Sequence, residues 1–171
     1  SEISDIIANL KNSNSKGLDN IPVSLIKYCS PELNSLLTHL TNASLSEGLF
    51  PDSLKTAKII PVFKAGDSKC ISNYRPISVL SVISKIFEKV VCNRLNNYIT
   101  DNAILHENQY GFRPKLSTNL ALLHLIDDLS QSIDDGKITA GVFVDLAKAF
   151  DTVNHTILLS KLQHYGIRGI T

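Results

Sequence analysis

Apolar residues recur at three- and four-residue intervals in five parts of the chain, and this pattern predicts five amphipathic helices. The predicted helices span residues 2–10, 30–48, 81–99, 117–136 and 155–165. Ser30 followed by Pro31 is typical of a helix start, and Gly48 is typical of a helix end. We expect the core-facing residues of the second helix to be Leu33, Leu36, Leu37, Leu40 and Ala43, and those of the fourth to be Leu122, Leu125, Ile126, Leu129 and Ile133.

Three shorter segments have the pattern of strands. Residues 57–63 predict a strand that Pro61 places at a sheet edge or bulge, and residues 74–80 predict the returning strand of a hairpin. Between them lies a tip rich in Lys64, Lys69 and Arg75, which we expect to be a mobile basic loop. Residues 138–146 are predominantly apolar and predict a buried strand. The predicted fold class is therefore α/β, mixed and helix-rich.

Composition is that of an ordinary globular protein, with 171 residues, 43% of them hydrophobic and 19% charged. The cysteines Cys29, Cys70 and Cys92 are odd in number and widely spaced, which argues against a disulfide framework or a zinc site. Apolar runs fall far short of the roughly 20 residues that a membrane span needs. Because the chain begins with Ser and contains no Met, we expect it to be a piece of a longer product.

Charge is distributed unevenly along the chain. The formal net charge is +1, but residues 55–115 carry ten basic and four acidic side chains, or +6, and the remainder carries −5. A local positive field of this size suits a polyphosphate partner. The same residues also fit an ordinary solvated surface, and charge alone leaves both interpretations open.

One carboxylate, Asp145, is placed at the end of the apolar segment 138–146. A carboxylate in this position can hold a cation, but it can equally cap a helix or pair with a lysine. Five further motifs decide between these interpretations. They are Lys16–Pro22, Ile59–Asp67, Asn73–Ser78, Ser84–Leu95 and Glu107–Thr118, and they precede the Asp-Leu-Ala-Lys-Ala-Phe-Asp run of residues 145–151.

In this order, the motifs resemble those of reverse transcriptases from non-LTR, LINE-type retrotransposons, and the resemblance covers nearly the whole chain. It implies the fingers of a right-hand polymerase followed by the first strand and helix of its palm, truncated. Residues 1–56 would be an N-terminal helical extension of the fingers, residues 57–136 the fingers, and residues 137–171 the incomplete start of the palm.

The activity implied by this resemblance is RNA-directed DNA polymerisation, in which two Mg²⁺ ions assist the addition of deoxynucleotides to a DNA 3′ end. Asp145 would be the catalytic metal ligand, and the Leu146 carbonyl would assist it. The family's other carboxylates lie in an aromatic-x-Asp-Asp segment, which residues 152–171 do not contain, so the chain alone is expected to be inactive. The implied partners are an RNA template, a DNA primer and deoxynucleoside triphosphates, in a cytoplasmic and nuclear ribonucleoprotein and not at a membrane.

The resemblance also assigns roles around the nucleotide. Lys64 and Arg75 would neutralise the triphosphate, and Phe150 would lie under the sugar and exclude a ribose 2′-OH. The backbone amides of Lys148 and Ala149 could meet phosphates. Asp151 either binds metal or orients the loop and caps the following helix.

Contacts to the template or primer backbone would come from Arg94, Arg113 and Lys115. Two other interpretations stay open at this point. The chain could be a decayed fragment that binds nucleic acid without chemistry, or a helical module whose motif matches are accidental.

Overall fold

The computed structural model describes residues 1–146 and 148–168. Its helices and strands, in chain order, are α1 (Glu2–Asn9), α2 (Val23–Tyr28), α3 (Ser30–Glu47), β1 (Lys58–Phe63), β2 (Tyr74–Val79), α4 (Val82–Asp101), α5 (Thr118–Asp134) and α6 (His155–His164). Short 3₁₀ turns occur at Asp52–Leu54 and Ile71–Asn73. The predicted class, mixed α/β with helix dominant, is confirmed, and all five predicted helices form.

Packing divides the chain into two compact units. The first comprises Ser1–Asn97 and Arg168 among the described residues, and the second comprises Tyr98–Ile167. The predicted functional division at residues 56 and 136 follows different criteria and stays a prediction. Its last part, 137–171, includes Ala147 and residues 169–171, which lie outside the described residues.

The core of the first unit is built by α1, α2, α3 and the N-terminal half of α4. Its buried members are Ile3, Ile6, Ile7, Val23, Ile26, Leu37, Val82, Ile86 and Val90. The Ser1 hydroxyl accepts a hydrogen bond from the Ser4 amide and caps α1. Gly48 adopts the left-handed conformation that ends α3, as its sequence predicted.

The buried face of α3 differs from the predicted one. Leu37 and Thr41 are buried, whereas Leu36 and Leu40 are about half exposed. Apolar spacing on this helix fits more than one stripe, and the stripe that packs against α1 decides which residues are covered.

The hairpin β1–β2 forms as predicted, in a register from Lys58 opposite Val79 to Phe63 opposite Tyr74. The Lys64 amide donates to the Asn73 carbonyl at 2.8 Å, so these two residues form a hydrogen-bonded pair. Hydrogen-bonded and non-bonded pairs alternate along the hairpin from there. Pro61 and Pro76 lie opposite each other in a non-bonded pair, so both ring nitrogens point outward. Each edge of the hairpin thus lacks a central donor, which disfavours addition of a further strand.

Helices α5 and α6 of the second unit begin at side-chain caps. The Ser117 hydroxyl accepts from the Leu120 amide, and the Asn154 side chain accepts from the Ile157 amide. The predicted inner face of α5 is nevertheless only partly covered by the described residues, and its side chains are 37% to 71% exposed. Its exposed members are Leu122, Leu125, Ile126, Leu129 and Ile133.

The predicted palm strand at residues 138–146 is not formed. This segment has no regular structure, and its apolar side chains are exposed, with Ile138 fully so and Phe143 at 88%. A strand is stable only when a neighbour accepts and donates its backbone hydrogen bonds, and none of the described residues pairs with this segment. The helix expected after it does form, as α6. No described helix has the length and apolar character needed to cross a membrane.

Candidate functional site

The two hairpin cations predicted to meet the triphosphate, Lys64 and Arg75, lie on one face of the hairpin. Arg75 is opposite Val62, and Lys64 follows Val62 by two residues. Because side chains alternate along a strand, Val62, Lys64 and Arg75 share a face, with the two cations diagonal to each other at roughly 7–8 Å between backbone positions. Both side chains are exposed, and neither forms an ion pair with a described residue.

The hairpin tip, which the sequence predicted to be a mobile basic loop, contains three hydrogen bonds that involve side chains, and its mobility stays a prediction. A carboxylate oxygen of Asp67 accepts from the Lys69 amide at 2.9 Å, and the Asn73 side chain donates to the Asp67 carbonyl at 2.9 Å. The Tyr74 hydroxyl donates to the Ser68 carbonyl, also at 2.9 Å. These bonds link the backbone of the tip to the first residues of β2 and their neighbours.

Both ends of the hairpin are attached to the helical core of the first unit. Before β1, the Leu54 carbonyl accepts from the Ser84 hydroxyl of α4 at 2.8 Å, and Ser84 is fully buried. After β2, Gly17 lies so close to Ser81 that a Cβ on Gly17 would be 2.8 Å from the Ser81 Cα. Gly17 lies within the motif Lys16–Pro22, but the sequence analysis predicted no role for it. Ser84 was missed, although a serine on the apolar side of α4 is a signal that could have found it.

Asp145, in the second unit, is exposed in the irregular segment and is followed by the exposed Leu146. Within residues 1–146 and 148–168, no three His, Cys, Asp or Glu side chains form a group that could hold a metal ion. The described residues near Asp145 therefore provide one carboxylate and not a complete protein cage.

A tight turn follows Asp145. The Lys148 carbonyl accepts from the Asp151 amide at 2.9 Å and from the Thr152 amide at 3.1 Å, and Lys148 has a positive φ of 51°. These bonds use the amides of Asp151 and Thr152 and not those of Lys148 and Ala149. The turn also directs the Phe150 ring outward, where it is 77% exposed.

The ring of Phe150 contacts Phe112, which belongs to the separate motif at residues 107–118. The two ring centroids are 6.0 Å apart and the planes are nearly perpendicular, at 86°. The structure thus brings together two motifs that the sequence identified independently. Phe112 belongs to the motif Glu107–Thr118, but no role was predicted for its ring from the sequence.

Two of the predicted nucleic-acid contacts are already engaged within the protein. The Arg113 guanidinium donates to the His106 carbonyl at 3.0 Å and to the Gln109 carbonyl at 3.3 Å, and so closes the loop that carries Phe112. Arg94, in the first unit, pairs with Glu2 at 2.9 Å. Lys115 is exposed and has a positive φ of 65°. The predicted phosphate roles of all three stay predictions.

The same loop is attached to α5 through an aromatic contact. The Tyr110 hydroxyl is hydrogen-bonded to Nδ1 of His124, and the two rings meet nearly edge to face with centroids 5.6 Å apart. His124 therefore has a structural partner in the loop that precedes α5.

Comparison with known proteins agrees with the motifs. Residues 62–170 match the family model described as reverse transcriptase (RNA-dependent DNA polymerase). The chain is 35% identical to "Probable RNA-directed DNA polymerase from transposon BS" of Drosophila melanogaster, over 97% of this chain and 19% of that protein. It is 29% identical to "RNA-directed DNA polymerase from mobile element jockey" of Drosophila melanogaster, over 94% of this chain and 18% of that protein.

A more distant relative is "Transposon TX1 uncharacterized 149 kDa protein" of Xenopus laevis, 27% identical over 96% of this chain and 12% of that protein. The chain thus spans less than a fifth of the length of these three relatives. The family model, in contrast, matches more than half of the chain, including the hairpin cations and Asp145. The predicted resemblance is confirmed, and the chain belongs to the reverse transcriptase family.

Proposed function

We propose that this chain takes part in RNA-directed DNA synthesis, in which deoxynucleotides are added to a DNA 3′ end along an RNA template. The observation that carries the proposal is the family match over residues 62–170, which includes Lys64, Arg75 and Asp145. The names of two relatives, from transposon BS and mobile element jockey, support the same activity.

Reverse transcriptases in general depend on a divalent metal. We propose that Asp145 and the Leu146 carbonyl are ligands of Mg²⁺, two ions of which would serve the complete enzyme. Oxygen donors suit this ion, which is usually held by one or two carboxylates together with substrate phosphates, so a single exposed carboxylate fits a shared site. When bound, the metal would stabilise the charge that develops on the transferring phosphoryl group.

The chain's own residues would bind and orient the nucleotide. Lys64 and Arg75 are exposed on one face of the hairpin, where an ammonium and a guanidinium can neutralise a triphosphate. The outward ring of Phe150 would lie under the sugar, and the Lys148 and Ala149 amides, which the turn does not use, would remain for phosphate oxygens.

Template and primer backbone would be contacted by Lys115, Arg113 and Arg94. Lys115 can do so directly, whereas Arg94 would first have to exchange its Glu2 partner for a phosphate. Arg113 would contribute through the donors that its loop does not use. We further propose an intracellular location, cytoplasmic and nuclear, within a retrotransposon ribonucleoprotein.

The decisive experiment is Asp145→Asn in the longest gene product that carries this chain, assayed by primer extension on an RNA template. We expect roughly a thousandfold loss of extension, because a bound metal contributes several kcal/mol to phosphoryl transfer. Asp127→Asn, which removes another exposed carboxylate, is the matched control and should retain activity.

Primer–template binding is measured in parallel as a function of salt. Asp145→Asn should leave this binding intact, because the carboxylate does not contact the nucleic-acid backbone in our proposal. Unchanged extension in the variant would overturn the role of Asp145. A parent protein that binds primer–template but does not extend it would favour the alternative function, nucleic-acid binding without chemistry.

A further inference from the structure

We propose that Phe112 is a positioning residue that holds the Phe150 ring in place and thereby sets the preference for deoxyribonucleotides over ribonucleotides. The inference rests on the proposed function, in which Phe150 lies under the sugar. It adds a residue from a second motif to the selection of the substrate.

The contact itself has the geometry of a favourable aromatic pair. A centroid distance of 6.0 Å and an angle of 86° place the edge of one ring against the face of the other. Phe150 is 77% exposed, so most of its surface has no other neighbour. The Phe112 ring is therefore one of the contacts that restrict where the Phe150 ring can lie.

The backbone of Phe112 supports a specific role for its ring. Its φ of 60° lies in the left-handed region, which a bulky side chain seldom adopts unless surrounding contacts impose it. Here the loop is closed by the Arg113 guanidinium, which donates to the carbonyls of His106 and Gln109. The ring is 90% exposed, so burial of Phe112 does not explain this conformation.

Selection by a ring under the sugar depends on the ring's position. A ribose 2′-OH is rejected only if the ring cannot move away from it, and an aromatic side chain without a neighbour can change its χ1 rotamer. Phe112 blocks that movement from one side. Its loss should therefore affect the choice of sugar more than the binding of primer–template.

The test compares Phe112→Ala, Phe150→Ala and the double variant in the longest gene product that carries this chain. The readout is the ratio of kcat/KM for a deoxynucleoside triphosphate to that for the matching ribonucleoside triphosphate. We expect Phe150→Ala to lower this ratio by about tenfold or more, which is the lower range for one steric contact. Phe112→Ala should lower it by roughly two- to tenfold, the factor that corresponds to one aromatic pair.

The double variant should lower the ratio no further than Phe150→Ala, because both changes act through one ring. Phe112→Tyr should keep the ratio of the parent, since its ring retains the edge contact. Tyr28→Ala, which removes an exposed aromatic of the first unit, is the matched control and should not change the ratio.

Phe112→Gly separates positioning from folding. Glycine accepts a positive φ, so this variant should melt no lower than Phe112→Ala, yet lose sugar preference to the same extent. A preference that follows the melting temperature across these variants would overturn the inference.

The remaining outcomes are distinct. An unchanged ratio in Phe112→Ala, with a reduced one in Phe150→Ala, overturns the inference and leaves the proposed role of Phe150 intact. An unchanged ratio in Phe150→Ala overturns that role and the inference with it, while Asp145→Asn still tests the polymerase activity separately.

Discussion

Because Gly17 has no Cβ, its backbone can approach Ser81 closely at the base of the hairpin. Gly17→Ala would place a Cβ 2.8 Å from the Ser81 backbone, which cannot move as a side-chain end could. We expect the free energy of unfolding to fall by about 1–3 kcal/mol, the usual cost of overpacking, in a denaturant titration. Gly111→Ala has open space around its new methyl group and should cost less than about 0.5 kcal/mol. Equal losses in the two variants would contradict this account.

Ser84 supplies the second attachment of the hairpin. Ser84→Ala removes the donor to the Leu54 carbonyl from a fully buried position, and we expect a loss of about 1–3 kcal/mol in the free energy of unfolding. Ser46, on the exposed surface of α3, donates to the Ala43 carbonyl and provides the control. Ser46→Ala should change stability by less than about 0.5 kcal/mol, and a comparable loss there would argue that the buried bond has no special weight.

At the scale of elements, the hairpin presents Lys64 and Arg75 on one face, and Arg75 is expected to bind through its planar fork. Arg75→Lys keeps the charge but loses bidentate geometry. We expect it to raise KM for the incoming nucleotide about tenfold, nearly as much as Arg75→Ala, since hydrogen bonds to charged groups are worth about 1.5–3 kcal/mol.

Lys58 of β1 lies on the same face of the hairpin as Arg75 of β2, but at the end of the hairpin away from the tip. Lys58→Ala is therefore a control for the loss of one positive charge. That variant should leave KM within about twofold, because exposed charges contribute little without a specific partner. If Arg75→Lys has the KM of the parent protein, the guanidinium acts only as a point charge and the bidentate contact is excluded.

The second unit carries apolar elements that the described residues cover poorly. Segment 138–146 is irregular and exposed, and the predicted inner face of α5 is only partly covered. Irregular, exposed backbone is the preferred substrate of proteases, because it fits their active sites without unfolding.

For the whole molecule, we therefore expect limited trypsin digestion of the chain to cut first after Lys137 and Lys148, which flank this segment. The helical core that contains Ile7 and Ile86 should persist, because these side chains are almost completely buried. Mass spectrometry of the early products identifies the first cleavage sites and the fragment that persists. Early cleavage within α4, after Lys85, Lys89 or Arg94, would contradict this expectation. Protection of Lys137 and Lys148 in the longest gene product would show that other parts of that product cover the segment.

The effect of the basic residues also depends on the whole molecule. The +6 segment from Lys55 to Lys115 has part of its charge engaged, since Lys55 pairs with Asp52 and Arg94 with Glu2. Lys64 and Arg75 have no such partner among the described residues. The distribution of charged residues along the sequence therefore indicated a basic region. The ion pairs of individual side chains determine which cations remain available to a ligand.

Local features of the sequence determined much of this protein. Caps and breakers such as Ser117, Pro31 and Gly48 placed the helices, and two strand-like runs separated by a turn, residues 57–63 and 74–80, placed the hairpin. These features act within a few residues, so they can be read without knowledge of the packing. Ordered motifs also determined the family, because residue types at fixed spacing are a property of the sequence itself.

Only the tertiary structure decided which faces are covered and which residues meet. Periodicity predicted apolar faces on α3 and α5, but burial depends on a neighbouring element, and the predicted face of α5 stays 37% to 71% exposed. Segment 138–146 has the composition of a strand, yet a strand requires a partner for its backbone hydrogen bonds. The contact between Phe112 and Phe150 joins residues 38 positions apart through a positive φ, and no local pattern encodes such a contact.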